Sequence, residues 1–241
     1  MDDFFARVES RTHAWPAGRR DLHWLVIPDT DFARRHLYEP YRDLAHHPGL
    51  HPVRPEWMHI TVLHAGPEDS ATPAEIARLI AEVTDRTADI GAFDLVLSRP
   101  AIGTVAIEST GHPGAPHQRL WRIASEAQRA VVGGRWPLIP EVSYPHLSHA
   151  YAGERAHLAD RTVLKALLAD LPGDPVTIPV TALTLVAEWH TRREILWDVI
   201  AEVPLTGPSR HPGAGARLDG VAGRPPLWPV GVPAARPGGG T

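Results

Sequence analysis

The sequence predicts a duplicated α+β fold, and three observations predict it. Strand-like and helix-like patterns alternate over residues 20 to 204. A His-x-Thr tetrad and a His-x-Ser tetrad each sit in an apolar, strand-like run, and their histidines, His59 and His146, lie 87 positions apart. The strand patterns that follow, starting near residues 93 and 181, keep almost the same offset.

The elements can be justified in order. "LHWLVI" (22–27) reads as a strand, and Asp29, Thr30 or Asp31 can cap a helix running to about His46. "MHITVL" (58–63) is the first motif strand. After Pro73, the apolar residues Ile76, Leu79, Ile80 and Val83 fall at helical spacing. "FDLVLS" (93–98) and "IGTVAIE" (102–108) are strands separated by a proline-containing turn. A helix from His117 places Leu120, Ala124, Ala127 and Val131 on one face. "YPHLSHAY" (144–151) is a short strand with Pro145 at its start, where a missing amide donor is tolerated. Leu164, Leu167, Leu168 and Leu171 mark another helix, and "TALTLVAEW" (181–189) with "EILWDVIAEV" (194–203) closes the fold as a hairpin. Strand with His-x-Thr, helix, strand, strand is thus followed by strand with His-x-Ser, helix, strand, strand. From Leu205 to Thr241 proline and glycine dominate without periodicity, which predicts a flexible tail after a domain of residues 1–204.

Composition narrows the chemistry. A hydrophobic share of 43% and a charged share of 22% in 241 residues belong to an ordinary globular protein, and the formal charge of −4 means that any polyanion must meet a local basic cluster. Cysteine is absent, which removes disulfides, thiolate nucleophiles and cysteine zinc sites. The single lysine, Lys165, follows no glycine-rich run, so there is no P-loop and energy-coupled use of ATP is not expected. The acidic start "MDDFFARVES" is unlike a signal peptide, and no run of eighteen apolar residues occurs. The expectation is a cytoplasmic, monomeric enzyme or binding protein that touches no membrane.

Side chains alternate along a strand, so His59 and Thr61 share a face, as do His146 and Ser148. If the halves meet about a pseudo-twofold, a groove receives two imidazoles and two hydroxyls. That set suits phosphodiester chemistry without a metal. One neutral histidine accepts a proton from water or a ribose hydroxyl, and the other, protonated, supplies one to the leaving oxygen. Thr61 and Ser148 can donate to the non-bridging oxygens.

"HITV" (59–62) and "HLSH" (146–149) resemble the paired H-x-[T/S]-x motifs of the 2H phosphoesterase superfamily, in its bacterial 2′-5′ RNA ligase and cyclic phosphodiesterase branch. The resemblance spans roughly residues 20 to 204. It implies a bilobal fold with two antiparallel sheets lining a central cleft and helices outside. It also implies cofactor-free handling of 2′,3′-cyclic phosphates or 2′-5′ linkages in RNA or nucleotides. Carried over by position, His59 and His146 are the acid–base pair and Thr61 and Ser148 the phosphate ligands, with the base left unassigned between the histidines. The fourth position of such motifs is usually apolar, and here the second holds His149. Alternation points His149 away from the cleft, whereas a one-residue slip would bring it in place of His146.

Other candidates are weighed against ordinary roles. His46, His47 and His51 are interrupted by Pro48 and Gly49, which favours a turn over a metal site. His64 and His190 read as supporting or surface residues. Arg54, Arg192 and Arg193 could touch a phosphate, with Arg119 and Arg122 weaker, and Trp57 and Tyr144 could stack on a base. The alternative function is a nucleotide- or RNA-binding module that keeps the cleft without turnover.

Overall fold

Two helices and a strand order carry most of the architecture, described in the computed structural model for residues 1–11, 13–139 and 144–207. The chain runs α1 (Phe4–Ser10), β1 (Asp21–Val26), α2 (Thr30–Ala33), α3 (Arg42–Ala45), β2 (Leu50–Pro52), β3 (Ile60–Pro67), α4 (Pro73–Thr87), β4 (Phe93–Leu97), β5 (Ala101–Ile102), β6 (Ala106–His112), α5 (Gly114–Val132), β7 (His146–Ala152), α6 (Arg161–Ala169), β8 (Val176–Val180), β9 (Ala182–His190) and β10 (Ile195–Pro204). The strands form a curled antiparallel sheet in the order β10-β9-β1-β3-β7-β6-β4-β8, with β2 beside β7 and β5 beside β6. Two four-stranded arrays therefore meet at one seam, the pairing of Ile60 with Leu147.

The seam is a centre of internal symmetry. On one side lie β3, β1, β9 and β10, and on the other β7, β6, β4 and β8. In the sequence, β4 follows α4 yet sits beside β6, and β9 follows α6 yet sits beside β1. Each half thus completes the other's sheet. The irregularities match as well. In β3 an extra residue, Val62, falls between the pairs Trp24–Leu63 and Leu25–Thr61. In β7 His149 falls between Ile107–Ala150 and Glu108–Ser148. The two bulges repeat the 87-residue offset of the histidines, and each sharpens the local twist and changes which residues face the cleft beyond it.

Local sequence explains the helices. Thr72 and Glu75 form a reciprocal capping box at α4, whose Pro73 occupies the first turn where no amide is needed. Asp29 caps α2 through the Phe32 amide, as expected, but the anticipated helix to His46 is broken. A π-turn over Arg34–Tyr38 and a 3₁₀ turn over Glu39–Tyr41 intervene, because Pro40 supplies no amide to the ladder. The run 102–108 likewise divides, since the Gly103 amide bonds the Ala106 carbonyl and turns β5 into β6. Helix α1 and strand β8 were not anticipated. Asp3 caps α1, which buries Phe5 and Val8, and Pro179 is tolerated in β8 because that strand is an edge.

Helices α4 and α5 pack Leu79, Val83, Leu120, Ala124 and Ala127 against Ile60, Val62 and Leu147 on the back of the seam. The segment 30–45 and α6 pack Tyr41, Leu44, Leu164 and Leu168 against Ala150 and Ala152. Gly66, at φ +94°, accepts Trp136 where a Cβ would lie 2.5 Å from its Cγ. At the far end, Leu205 is buried and Gly207 bonds the Ile90 carbonyl, so the chain is packed through residue 207. The rest of the expected tail, 208–241, lies outside the described residues. Among the described residues, no helix is long and apolar enough to cross a membrane.

Candidate active site

The seam register places the four predicted side chains together. With Ile60 opposite Leu147, antiparallel pairing sets His59 opposite Ser148 and Thr61 opposite His146. Directly paired residues share a face. Ile60 and Leu147 point into the core, fully buried, so His59, Thr61, His146 and Ser148 all point to the opposite, concave face. His59 stands just before β3 and His146 is the first residue of β7, where the two strands begin to splay.

The two imidazoles are held alike. His59 Nδ1 lies 3.0 Å from the Trp57 carbonyl and His146 Nδ1 lies 3.3 Å from the Tyr144 carbonyl, in each case two residues back. A carbonyl only accepts, so each Nδ1 carries its proton there and, in the neutral ring, each Nε2 carries the lone pair. Their surroundings differ. His59 is 8% exposed and meets the Trp197 ring edge-on at 4.9 Å, and Trp57 stacks its own edge on Trp197. Burial, with His146 adding the same sign, pushes His59 down to about 4 despite the Trp57 carbonyl. His146 is partly exposed, with the Tyr144 ring 5.0 Å away.

The hydroxyls are not equivalent either. Thr61 pairs with Leu25 on β1, while Ser148 pairs with Glu108 on β6, and the Ser148 hydroxyl donates to Glu108 Oε1 at a long 3.5 Å. Tyr151 lies close to Ser148, and its phenol is pushed up by burial. Glu108 shares the cleft face with the four motif residues, and sequence reading missed it because no motif position announces a pairing partner. His117 of α5 was read only as the start of a helix. It is fully buried, hydrogen-bonds the Thr61 backbone, and is pushed down to about 4 by burial and by nearby His146.

His149 settles the register. It bulges to the back of β7, where Nδ1 meets the Leu37 carbonyl at 3.0 Å and Nε2 meets the Ser109 hydroxyl at 2.9 Å. It is pushed down to about 4 by burial, and its work is to tie the π-turn to the sheet. His64 and His190 are more deeply buried than expected. His64 Nε2 contacts Asp21 at 2.6 Å and stacks on His23, and His190 Nε2 donates to the Trp15 carbonyl at 2.8 Å. Arg54 pairs with Glu194 and Glu56, Arg192 with Glu9, and Arg119 with Asp89, so these three are engaged within the protein. His46 and His47 bond local carbonyls, and among the described residues no group of three metal-binding side chains forms.

By sequence the chain matches no family model and no curated protein. Solved structures do match. TT0787 of Thermus thermophilus aligns with a TM-score of 0.62 at 19% identity, over 78% of this chain and 100% of its own. A phosphoesterase aligns at 0.59 and 15%, over 78% and 99%. E. coli LigT complexed with 3′-AMP aligns at 0.56 and 15%, over 78% and 98%. At these identities the likeness is one of fold: the chain shares its α+β fold with TT0787, that phosphoesterase and E. coli LigT.

Proposed function

We propose that the protein is a metal-independent phosphoesterase acting on 2′,3′-cyclic phosphates of RNA or nucleotides, with 2′-5′ linkages open to the same chemistry. The observation that carries this reading is the seam register, which sets two hydroxyls and two back-tethered imidazoles on one face. That E. coli LigT has been solved with 3′-AMP, ATP and phosphate is consistent with a nucleotide ligand.

The asymmetry between the imidazoles supports one division of roles. His59, held neutral by burial, offers the Nε2 lone pair as base, and the more exposed His146 in its protonated form offers Nε2–H as acid. Water attacks phosphorus as its proton passes to His59. The bond from phosphorus to one ribose oxygen breaks, and that oxygen takes the proton of His146. The product is a phosphate monoester, and proton exchange with solvent restores both histidines. Thr61 and Ser148 donate to the non-bridging oxygens, where charge builds in the transition state.

The test is turnover of a 2′,3′-cyclic nucleotide in EDTA by wild type, His59→Ala and His146→Ala. At least about a 10²-fold loss in each variant, with an unchanged circular dichroism spectrum, is expected. Ligand binding without turnover in wild type would make the protein a binding module instead.

A further inference from the structure

A second cavity forms where β2 pairs with the end of β7. On β7 the bulge at His149 brings Tyr151 onto the cleft side, and His51 of β2 pairs directly with Tyr151, so His51 shares that side. Its ring lies over Gly153, where a Cβ would fall 2.2 Å from Nε2. Gly49, at φ +90°, brings the start of β2 against the Arg155 carbonyl, where a Cβ would lie at 2.5 Å. Together with Glu154 and with Arg193 from the β9–β10 hairpin, these residues enclose a cavity of about 210 Å³.

Two guanidiniums at this cavity have no ion pair among the described residues. Arg54 and Arg192, its neighbours in sequence and space, are spent on Glu194 and Glu9. Among the described residues, no carboxylate lies within ion-pair distance of Arg155 or Arg193, although Glu154 shares the rim. Burial and Arg193 push the His51 imidazole down, against the opposite pull of Glu154 and Asp3.

A shallow notch lined by Val53, Trp57, Tyr151 and the same Arg193 adjoins the cavity. Trp57 holds His59 through its carbonyl, and Tyr151 lies close to Ser148. Tyr151 lies three residues from Ser148, so His51 sits roughly 10 Å from the phosphate site along the strand. That is about the reach of one or two nucleotides. Two unpaired guanidiniums at this remove, past an indole able to stack on a base, match the backbone of a single strand.

We propose that Arg155, Arg193 and His51 form a second phosphate subsite, so that the substrate is a single-stranded oligonucleotide with a cyclic phosphate end and not a lone nucleotide. This deepens the phosphoesterase reading and rests on it. The upstream phosphodiester sits between the two guanidiniums while the terminal phosphate lies between His59 and His146.

The experiment compares wild type with the double variant Arg155→Ala/Arg193→Ala, both positions being exposed. Substrates are a 2′,3′-cyclic mononucleotide and a short single-stranded RNA ending in a 2′,3′-cyclic phosphate. The expected result is at least a tenfold lower kcat/KM for the RNA with the mononucleotide unchanged. The salt dependence of RNA binding should also become shallower by about one in log–log slope. Equal effects on both substrates, or none on either, overturn the subsite. Should wild type turn over neither substrate, the phosphoesterase reading fails and anisotropy of a labelled RNA decides the subsite alone. Tenfold weaker binding to the double variant upholds it, and unchanged binding overturns it.

Discussion

His59 stands directly opposite Ser148, and not opposite His146, across the seam between the two halves. The two histidines proposed as acid and base are therefore diagonal neighbours, each with the other motif's hydroxyl at its side. In the proposed reaction a phosphate centred on this square would be approached by the two imidazoles from opposite corners, as in-line attack and departure require. Thr61→Val and Ser148→Ala should each lower kcat by about 10²-fold, the usual cost of one lost transition-state donor. Steady-state kinetics with the 2′,3′-cyclic nucleotide checks this, and a loss confined to KM would contradict it.

The pH profile should report the burial of His59. A base held down to about 4 is already neutral at pH 5, so the rising limb of kcat/KM should lie near 4 and not near 6.5. Trp197→Ala opens the ring to water and should move that limb upward by about one unit. An unmoved limb in this variant would mean that Trp197 does not set the environment of the base.

Glu108 should act on the product. Its carboxylate neighbours Ser148 on the cleft face, where a phosphate monoester carries more charge than the cyclic diester. Glu108→Gln removes that repulsion, worth about 1–2 kcal/mol for like charges at close range. The inhibition constant of the monoester product should fall about tenfold, while the KM for the cyclic substrate changes less. Equal tightening of both would show that the carboxylate does not discriminate by charge.

Stability should fall in acid. His59, His117 and His149 are each pushed down to about 4 by burial, whereas an unfolded imidazole titrates near 6.5. Between those values the unfolded chain binds protons that the folded one refuses. The stabilisation is complete above about pH 6.5 and is lost as pH drops towards 4. Each fully buried imidazole accounts for up to roughly 3 kcal/mol by this linkage. Urea midpoints should be clearly lower at pH 5 than at pH 7, and identical midpoints would contradict the burial of these rings.

Much of the geometry of the candidate site was legible in the sequence because it depends on strand alternation, a local property. "HITV" and "HLSH" tell which side chains share a face, and their 87-residue offset tells that the halves repeat. The capping signals at Asp29 and Thr72 are equally local and were readable for the same reason. The helix expected to reach His46 failed at Pro40, where the missing amide outweighed the apolar pattern around it.

Tertiary structure decided the rest. Which half receives β4 and β9, that Glu108 rather than an apolar residue flanks Ser148, and that His149 turns back to Leu37 all follow from pairings distant in sequence. So does the difference between the two histidines, since the Trp197 that covers His59 is delivered by the last strand. Alternation sets the direction of a side chain, but desolvation and charge at its tip come from whatever the folded chain packs beside it.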